Sequence, residues 1–488
     1  MTAENTTLTA PSDTPAELSR RDSGVITILL VAAFVVILNE TAMNVALTSI
    51  MADLNVAERA AQWLTTGFLL TMAVVIPITG WLLERLTTRT MFGLAMGLFS
   101  LGTLACALAP NFALLLGGRI IQATGTAVML PLLMTTVMQL VPANGRGKIM
   151  GNISLVISVA PAIGPTMSGL VLAAFSWRFI FVLVLPIAIG MLVLGLRRMV
   201  NVGEVIDVPL DVISIPLTVV GFGGLVYGLS MVGDASVAVW EPGVAVAVGL
   251  VGLTALMLRQ LVLQKRDQAF LDLRTFTYPT FSVSIVMMAI AMMALFGTII
   301  TLPLILQRSL NLDPLTVGLM LFPGGVLMGV LGPVVGRLYD RFGPRNLVAP
   351  ASFVVAGVFL ALSSVTVTTP IWLIVLYHMA MSGSFAFIFT PLFTVSLGSV
   401  PPKLYSHASA LVGTVQQVAG AAGTALFITV FALQSAKAEA DGLPTASALL
   451  VGSHWAFLGA TAIWSLAIVA SFFLRKPADN PEAPAPIH

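Results

Sequence analysis

The polar break between the second and third long apolar runs of the chain reads GWLLERLTTR at residues 80–89. A similar segment, GRLYDRFGPR, fills another such break at residues 336–345. Both segments begin with glycine, carry an acid followed by arginine in the middle, and end in arginine. Because the same residue types recur in the same order, we predict that the chain consists of two similar halves, residues 25–200 and 275–475.

The long apolar runs between the polar breaks predict the secondary structure. A helix needs about 20 mostly apolar residues to span a membrane, and the chain offers fourteen such runs. They lie near 25–47, 61–83, 91–109, 113–137, 150–173, 178–197, 210–232, 242–263, 279–306, 314–336, 347–366, 371–398, 407–434 and 451–474. The predicted fold is therefore an all-α integral membrane protein with fourteen transmembrane helices.

The two related segments constrain how these helices are arranged. Each half contributes six helices, and both segments fall on the same side of the membrane, so the halves are parallel repeats of the kind found in some transporters. The two remaining helices, with cytoplasmic loops, are inserted between the halves within residues 201–274. The polar ends, 1–24 and 476–488, are predicted to be cytoplasmic tails, the first of them disordered.

The composition places most of the chain in a membrane. Hydrophobic residues make up 58% of it, charged residues 9%, and the mean hydropathy is +1.00, whereas an average soluble domain is about 25% charged. The first apolar run is too long for a signal-peptide core, which predicts that it is retained as a helix. A net charge of +2 without a basic cluster argues against nucleic acid as a partner.

Sequence motifs for catalysis or for a bound cofactor are absent. The chain lacks the GxxxxGK[ST] pattern that cradles ATP phosphates, the H-E-x-x-H and C-x-x-C patterns, and a serine–histidine arrangement with catalytic spacing. We therefore expect no enzymatic activity, no ATP, no metal and no cofactor. Any energy source would be an ion gradient.

The basic residues indicate the orientation in the membrane. Most of the 23 Lys and Arg residues fall in the breaks of one side, together with both ends of the chain. The other side carries only Arg59, Arg178, Arg308 and Lys437. Because positively charged loops stay in the cytoplasm, we predict a cell-membrane protein whose two termini and two repeated segments are cytoplasmic.

Two charged residues lie inside apolar runs rather than in the breaks. Glu40 is in the first run and Arg119 is in the fourth, each about two helical turns from the predicted outer end. An ionised side chain near the bilayer centre costs about 2.5–3.5 kcal/mol, so such residues indicate a functional site. Because their charges are opposite and their depths similar, we also predict that they pair.

Several motifs make the chain resemble the major facilitator superfamily, and within it the fourteen-span branch of drug:proton antiporters that includes lincomycin-type exporters. Besides the two repeated segments, these motifs are Leu38-Asn-Glu-Thr41 in the first run, Arg119-Ile-Ile-Gln-Ala-Thr-Gly125 in the fourth and Gly164-Pro-Thr-Met-Ser-Gly169 in the fifth. The resemblance covers nearly the whole chain. It implies proton-coupled antiport by two six-helix halves.

The resemblance also gives the repeated segments a role as conformational latches. In the family, the acid of such a segment caps a helix of the opposite half and pairs with nearby arginines. The latch residues implied here are Gly80, Glu84, Arg85, Arg89, Gly336, Asp340, Arg341 and Arg345. The first segment departs from the family pattern, because Glu84 replaces aspartate and Thr87 and Thr88 replace a glycine and a basic residue, which predicts a weaker first latch.

The other motifs imply roles for further residues. In the family, the arginine of the fourth helix takes part in proton coupling, which assigns that role to Arg119 together with Glu40. The fifth-helix motif implies an antiporter-type hinge at Gly164, Pro165 and Gly169. In the first helix the acid lies one position later than the family's, or about 100° around the helix, so the resemblance does not fix the direction in which it faces.

A cavity between the halves is predicted to be apolar with few polar groups, which suits lipophilic molecules and, through Glu40, cations. Protons from outside would neutralise Glu40 and release the substrate, and loss of the proton towards the cytoplasm would restore binding. The residues predicted to line this cavity are Phe34, Asn44, Gln122, His378, Phe385, Gln416 and Gln417.

Two alternatives remain open beside drug export. The same fold can carry a native metabolite or a lipid precursor, coupled to protons in either direction. A membrane-embedded binding or sensory protein without transport is the second alternative, although the repeat and the intramembrane charges argue against it. The expected partners are a small lipophilic molecule, protons and the bilayer, and a monomer is compatible with the sequence.

Overall fold

The computed structural model is a bundle of helices. It describes residues 19–203, 205–207, 209, 211–232 and 237–477, and no strand occurs among them. Six helices form the first half of the bundle. They are α1 (Arg20–Leu54), α2 (Glu58–Arg85), α3 (Thr88–Ala107), α4 (Phe112–Leu140), α5 (Arg146–Ala174) and α6 (Arg178–Arg198).

Eight further helices follow. The inserted pair consists of α7 (Ser214–Ser230), which contains a π-helical turn at Val219–Gly223, and α8 (Glu241–Leu263). The second half consists of α9 (Pro279–Arg308), α10 (Pro314–Phe342), α11 (Arg345–Ser363), α12 (Ile371–Gly398), α13 (Tyr405–Ala440) and α14 (Thr445–Ser471).

These helices confirm the predicted fold class. Within the described residues, 13 helices are long and apolar enough to cross a membrane, and α7 is an apolar helix below that length. Most of the two predicted tails, at 1–18 and 478–488, lies outside the described residues. The exact limits of the predicted domains, at residues 200 and 275, stay predictions.

Polar side chains in the breaks define where several helices begin. The side chain of Asn111 accepts a hydrogen bond from the backbone N–H of Leu114 at the start of α4, at 3.0 Å. Thr87 accepts one from the N–H of Thr90 at the start of α3, at 3.3 Å. The first amides of a helix have no partner within it, so such caps stabilise the chosen start.

The first helix extends beyond its predicted end because its last turn is anchored. Oδ2 of Asp53 accepts hydrogen bonds from Nη1 of Arg178 at 2.6 Å and from the Trp177 indole at 3.0 Å. Arg178 also donates to the carbonyl of Ala109 at 3.0 Å. The hydrogen bond from Arg178, and then that from Trp177, holds the pKa of the Asp53 carboxyl below its ordinary value.

The two halves meet closely where α5 crosses α10. Gly147 and Gly151 of α5 face Gly336 and Gly332 of α10, and a Cβ on Gly336 would lie only 2.8 Å from the carbonyl carbon of Gly147. The crossing therefore requires glycine, and the backbones approach as they do at small-residue contacts between membrane helices. This contact lies on the membrane side that carries the two repeated segments, called the latch side below.

The helices α2 and α13 form a second contact between the halves. A Cβ on Gly413 of α13 would lie 3.0 Å from Cγ2 of Ile76 on α2. Beside it, Oγ1 of Thr135 on α4 lies 2.7 Å from Oγ of Ser409 on α13. The first half thus contacts α13 through both α2 and α4.

The inserted helices cover the junction of α2 and α13. They pack closely on each other through small residues, since a Cβ on Gly249 of α8 would lie 2.9 Å from the carbonyl carbon of Gly224 on α7. Phe222 of α7 then joins an apolar cluster with Ala73 of α2, against which Val418 of α13 also packs. The insert therefore contacts both halves rather than only linking them.

A polar network fixes the ends of the insert. Arg259 of α8 donates from Nε to Oδ2 of Asp211 at 2.6 Å and from Nη2 to Oδ1 at 2.5 Å. The neighbouring Gln260 donates to Oγ of Ser214 at 2.7 Å, and its Oε1 accepts from the backbone N–H of Phe270 at 2.8 Å. The hydrogen bond from Arg259 is the main reason why the pKa of Asp211 lies below its ordinary value.

Candidate functional site

A small cavity lies between the two halves. Its volume is about 30 Å³, which is room for about one or two water molecules and not for a drug. Helices α1, α2 and α4 of the first half and α13 of the second supply its walls. The lining residues are Val36, Ile37, Glu40, Met72, Ile76, Thr126, Ala127, Leu130, Pro131, Gly413, Gln416 and Gln417.

Glu40 is the one charged residue in the wall of this cavity. From the second half, Gln416 and Gln417 also line it, as the sequence predicted. Nε2 of Gln416 is buried without a hydrogen-bond partner, and Nε2 of Gln417 lies 4.0 Å from Sδ of Met72. The cavity therefore brings a carboxyl group and poorly satisfied amide groups from opposite halves into an apolar setting.

Arg119 is buried among uncharged partners, with 1% of the residue exposed. Its Nη1 donates to Oε1 of Gln122 at 2.6 Å and, at a longer 3.5 Å, to Oδ1 of Asn39, while Nε has no partner. The guanidinium carbon lies 4.1 Å from the centre of the Phe68 ring, a cation–π contact. Gln122 is held in turn by Oγ1 of Thr103 at 2.8 Å.

Glu40 and Arg119 do not form the direct ion pair that the sequence predicted. Among the ion pairs of the described residues, none joins these two side chains within 4.0 Å. The reason is the step of about 100° between consecutive helical residues. Asn39, at the position of the family's acid, faces Arg119, and Glu40 faces the cavity instead.

Several residues predicted to line the cavity lie elsewhere, and the side chain of one is not described. Phe34 packs against the large apolar core, and Gln122 is engaged in the hydrogen bonds given above. Phe385 is fully buried in the second half, with its ring centre 5.9 Å from that of Trp464. Asn44 is on α1, and its side chain lies outside the described part of the structure. A helix that is apolar all round gives no sequence signal for its inward face.

His378 does not line the cavity either. Its Nε2 lies 3.1 Å from the carbonyl oxygen of Leu321, and its Nδ1 is buried without a partner. A Cβ on Gly324 would lie 2.6 Å from the same Nε2. His378 therefore ties α12 to α10 within the second half.

The predicted hinge motif on α5 contacts the first helix through one of its glycines. A Cβ on Gly164 would lie 3.0 Å from Cβ of Thr41, the residue after Glu40. A Cβ on Gly169 would meet no atom within 4 Å, so close packing does not explain that glycine. The side chain of Pro165 lies outside the described part of the structure. The motif thus adjoins the Glu40 segment, and its action as a hinge stays a prediction.

The acid of the first latch contacts a histidine of the opposite half. Oε1 of Glu84 lies 2.9 Å from Nε2 of His407, in the first turn of α13, and the two side chains are 13% and 5% exposed. Nδ1 of His407 is buried without a hydrogen-bond partner and would lie 3.1 Å from a Cβ on Gly80. The glycine of the segment therefore leaves the room that the imidazole occupies.

The acid of the second latch caps a helix of the opposite half, as predicted. Oδ1 of Asp340 accepts a hydrogen bond from the N–H of Gly147 at 3.0 Å, and Oδ2 accepts one from the N–H of Lys148 at 3.1 Å. A carboxylate at a helix N-terminus satisfies amides that lack helical partners and interacts favourably with the helix dipole. Gly336, one turn before Asp340 on α10, allows α10 to come this close to α5.

The latch arginines make other contacts than the predicted ones. Among the described residues, no ion pair joins Glu84 or Asp340 to an arginine. Instead, Arg85 pairs with Asp207 at 3.1 Å, in the connection that precedes α7. Arg341 and Arg345 lie over phenylalanine rings, at 5.1 and 5.5 Å from the ring centres, and the backbone N–H of Arg89 donates to an asparagine after α6.

Two residues of the site were missed from the sequence. Asn39 stands where the family has its acid, so its position beside Arg119 was visible in the motif. His407 lies at the start of α13, the repeat counterpart of α5. The repeat could therefore have predicted this contact. If the latch acid of the second half contacts the start of α5, the latch acid of the first half should contact a residue at the start of α13.

Two six-helix halves with a shared central cavity and reciprocal acid contacts have counterparts among known proteins. A family model described as Major Facilitator Superfamily matches residues 29–424. The chain belongs to the Major Facilitator Superfamily. The resemblance inferred from the motifs is thereby confirmed.

Several curated relatives of this superfamily member carry names that refer to drug resistance. The lincomycin resistance protein LmrB of Bacillus subtilis is 39% identical over 92% of this chain and 95% of its own length. LmrB of Listeria monocytogenes is 38% identical over 93% and 96%. The probable multidrug resistance protein EmrY of Escherichia coli is 28% identical over 86% and 82%.

Solved structures show the same fold at low sequence identity. The human organic anion transporter MFSD10 matches with a TM-score of 0.67 and 14% identity, over 93% of this chain and 100% of that one. The proton:xylose symporter XylE matches with a TM-score of 0.61 and 14% identity, over 94% and 97%. The family match and the curated relatives, rather than these structures, show that the protein is a multi-pass membrane transporter and not an enzyme.

Proposed function

We propose that the protein exports drugs or other lipophilic, cationic compounds across the cell membrane in exchange for protons. The observation that carries this proposal is Glu40, the one charged residue in the wall of an apolar cavity between the two halves. The names of the relatives, which refer to lincomycin and multidrug resistance, support drugs as substrates. The proton gradient would supply the energy, and no cofactor would be needed.

The exchange is proposed to take place at the Glu40 carboxyl. When the cavity opens outwards, water brings a proton to Glu40, the carboxylate becomes neutral, and a bound cation loses its counter-charge and leaves. When the cavity opens to the cytoplasm, the proton leaves and the carboxylate can bind the next cation. Because the apolar wall offers few other polar groups, the substrate gains most of its remaining affinity from burying apolar surface.

Arg119 is proposed to make the ionised state of Glu40 tolerable inside the membrane. Arg119 lies in the same half as Glu40 and has no carboxylate of the described residues within 4.0 Å. Its hydrogen bonds go to amide groups. A fixed positive charge in a low-dielectric interior lowers the cost of a nearby carboxylate. Replacing Arg119 by an uncharged residue should therefore impair binding of cations more than binding of neutral compounds.

The two latches are proposed to close the cytoplasmic side. Asp340 on the start of α5 and Glu84 on His407 join the halves at that side. Opening of the cavity towards the cytoplasm therefore requires both contacts to separate. We further propose the orientation given by the basic loops, with both termini in the cytoplasm.

The deciding experiment is transport of a panel of lipophilic cations into inside-out vesicles, driven by an acidic interior. We expect uptake by the wild type and none above the vesicle background for Glu40→Gln. Glu439→Gln, a change of the same kind at an exposed position at the end of α13, is the matched control and should transport like the wild type. Full gradient-driven uptake by Glu40→Gln would disprove the proposed site.

A native metabolite is the second candidate substrate. It is favoured by the relative named riboflavin transporter RibZ of Clostridioides difficile, which is 24% identical over 93% of this chain. The same vesicles test it. Uptake of riboflavin without uptake of any lipophilic cation would favour this candidate.

A further inference from the structure

Within the described residues, the interior of the transmembrane region holds a single acid. Apart from Glu40, every Asp and Glu within the described residues lies in the first or last turn of a helix, caps a helix or belongs to a connecting segment. Within the cavity wall the other residues, from α2, α4 and α13 as well as α1, are uncharged. A proton or a cation that reaches the cavity therefore meets one carboxyl group.

The position that could have held a second acid is occupied by an amide. Asn39 faces Arg119 through its Oδ1, at 3.5 Å, and its Nδ2 is buried without a partner. An amide accepts the hydrogen bond of the guanidinium without taking up a proton at ordinary pH. Asn39 therefore holds Arg119 while leaving proton exchange to its neighbour, Glu40.

We propose that each transport cycle exchanges one proton for one singly charged cation, so that the exchange moves no net charge across the membrane. This inference rests on the proposed function and specifies its substrate class and stoichiometry. In one loaded state the carboxylate of Glu40 is neutralised by the cation, and in the other by the proton. Both states carry the same total charge, since Arg119 is charged in each.

The other titratable groups inside the membrane do not share this site. His378 is bound to the carbonyl of Leu321 and does not line the cavity. Cys106 is buried between α3 and α4, where its thiol points to the carbonyl of Leu115. Arg119 is the charged group that acts on Glu40, and it lies behind Asn39 rather than in the cavity wall.

The stoichiometry can be measured by a balance of gradients in liposomes that contain the purified full-length protein. Ethidium, a singly charged lipophilic cation, is loaded to a tenfold excess inside, and the interior pH is lowered until protein-dependent flux stops. A tenfold gradient of either ion stores about 1.4 kcal/mol. For one proton per cation, flux therefore stops at a pH difference of about one unit. For two protons per cation, it stops at about half a unit.

The membrane potential provides an independent reading of the same quantity. A potential of about 60 mV, equivalent to a tenfold gradient of one charge, is set with potassium and valinomycin, and protein-free liposomes correct for leakage. We expect the balance point to stay at one unit. A balance point at half a unit, or one that moves with the potential, would overturn the inference.

Two variants separate this inference from the proposed function. His378→Gln should leave the balance at one unit, because its ring is not part of the exchange, and a changed balance in this variant would reveal a second proton site. Glu40→Gln should abolish the effect of the pH gradient. If the wild type itself shows protein-dependent ethidium flux that ignores the pH gradient, the proposed proton coupling fails, whatever the stoichiometry.

Discussion

Asn39 and Glu40 are adjacent in the sequence, but their side chains face different parts of the protein. Consecutive residues of a helix point about 100° apart, and here that step separates the partner of a buried arginine from the wall of the cavity. A sequence motif that shifts the acid by one position therefore changes what the acid touches. The acid contacts the cavity directly, and its influence on Arg119 is through space rather than through a hydrogen bond.

Removing the amide of Asn39 should destabilise the protein. In Asn39→Leu the Nη1 of Arg119 loses one acceptor, and a buried donor left unsatisfied costs about 1–3 kcal/mol. We expect a lower midpoint of thermal unfolding in detergent for Asn39→Leu. Asn39→Asp retains an acceptor oxygen and should unfold at or above the wild-type temperature.

An unchanged midpoint for Asn39→Leu would mean that Gln122 alone satisfies Arg119. Gln122 makes the shorter of the two bonds, 2.6 Å against 3.5 Å. The comparison of Asn39→Leu with Gln122→Leu therefore ranks the two acceptors. We expect the larger loss for Gln122→Leu.

At the scale of helices, the contact of α5 with α10 depends on four glycines. Each of them faces backbone atoms of the other helix, so an added side chain must push the halves apart on the latch side. The acid of the second latch uses the same approach, because Asp340 reaches the amides of Gly147 and Lys148 only while the helices touch.

Gly151→Val should loosen the latch side. A convenient reporter is Ser154→Cys in a Cys106→Ser background, because Ser154 is 3% exposed and accepts a hydrogen bond from Thr390 of the other half. We expect faster labelling of this cysteine by a membrane-impermeant maleimide when Gly151 is replaced. Gly357→Val on α11, where a Cβ would meet no atom within 4 Å, is the control and should leave the labelling rate unchanged.

The first latch should behave as one interaction between Glu84 and His407. Either Glu84→Gln or His407→Gln removes the contact, so the double variant should label no faster at position 154 than the faster single variant. Residues in direct contact show such non-additive effects, with coupling energies of about 0.5–3 kcal/mol. Asp340→Asn acts at the other latch and should add to either. Full additivity of Glu84→Gln and His407→Gln would show that the two side chains do not act together.

At the scale of the whole molecule, the inserted helices cover the junction between the halves. They pack on each other through glycines and on α2 and α13 through apolar side chains. Their ends are fixed by the contact of Arg259 with Asp211. The insert is thus a structural part of the bundle.

Gly249→Leu should separate α7 from α8 and lower the stability of the whole bundle. The added side chain would meet the backbone of Gly224 and Leu225, and overpacking of a close contact costs about 1–3 kcal/mol. We expect the unfolding midpoint in nanodiscs to fall by a few degrees. Gly243→Leu, on the same helix but with no atom within 4 Å of the new Cβ, should unfold like the wild type.

The architecture followed from the sequence because hydrophobic length and polar breaks are local properties. The acid of the second latch followed from its motif, and Glu40 was identified as a charge inside an apolar run, although the motif left the direction in which it faces open. The inward faces did not follow from the sequence, since the apolar runs carry too little polar contrast to distinguish lipid, core and cavity. Phe385, for example, lies in the core of the second half and not in the cavity wall. The partners Asn39 and His407 depend on helix rotation and on contacts between halves, which only the folded chain sets.

The small size of the central cavity also limits the leakage of protons through the protein when it is not transporting. With room for about one or two waters, it offers too short a chain of water to conduct hydrogen ions through a bilayer about 30 Å thick. At the latch side, the glycines of α5 and α10 pack too closely to leave room for water between these two helices. A resting transporter of this kind can stay in an energised membrane without dissipating the proton gradient, so the cell can keep it in place between periods of use.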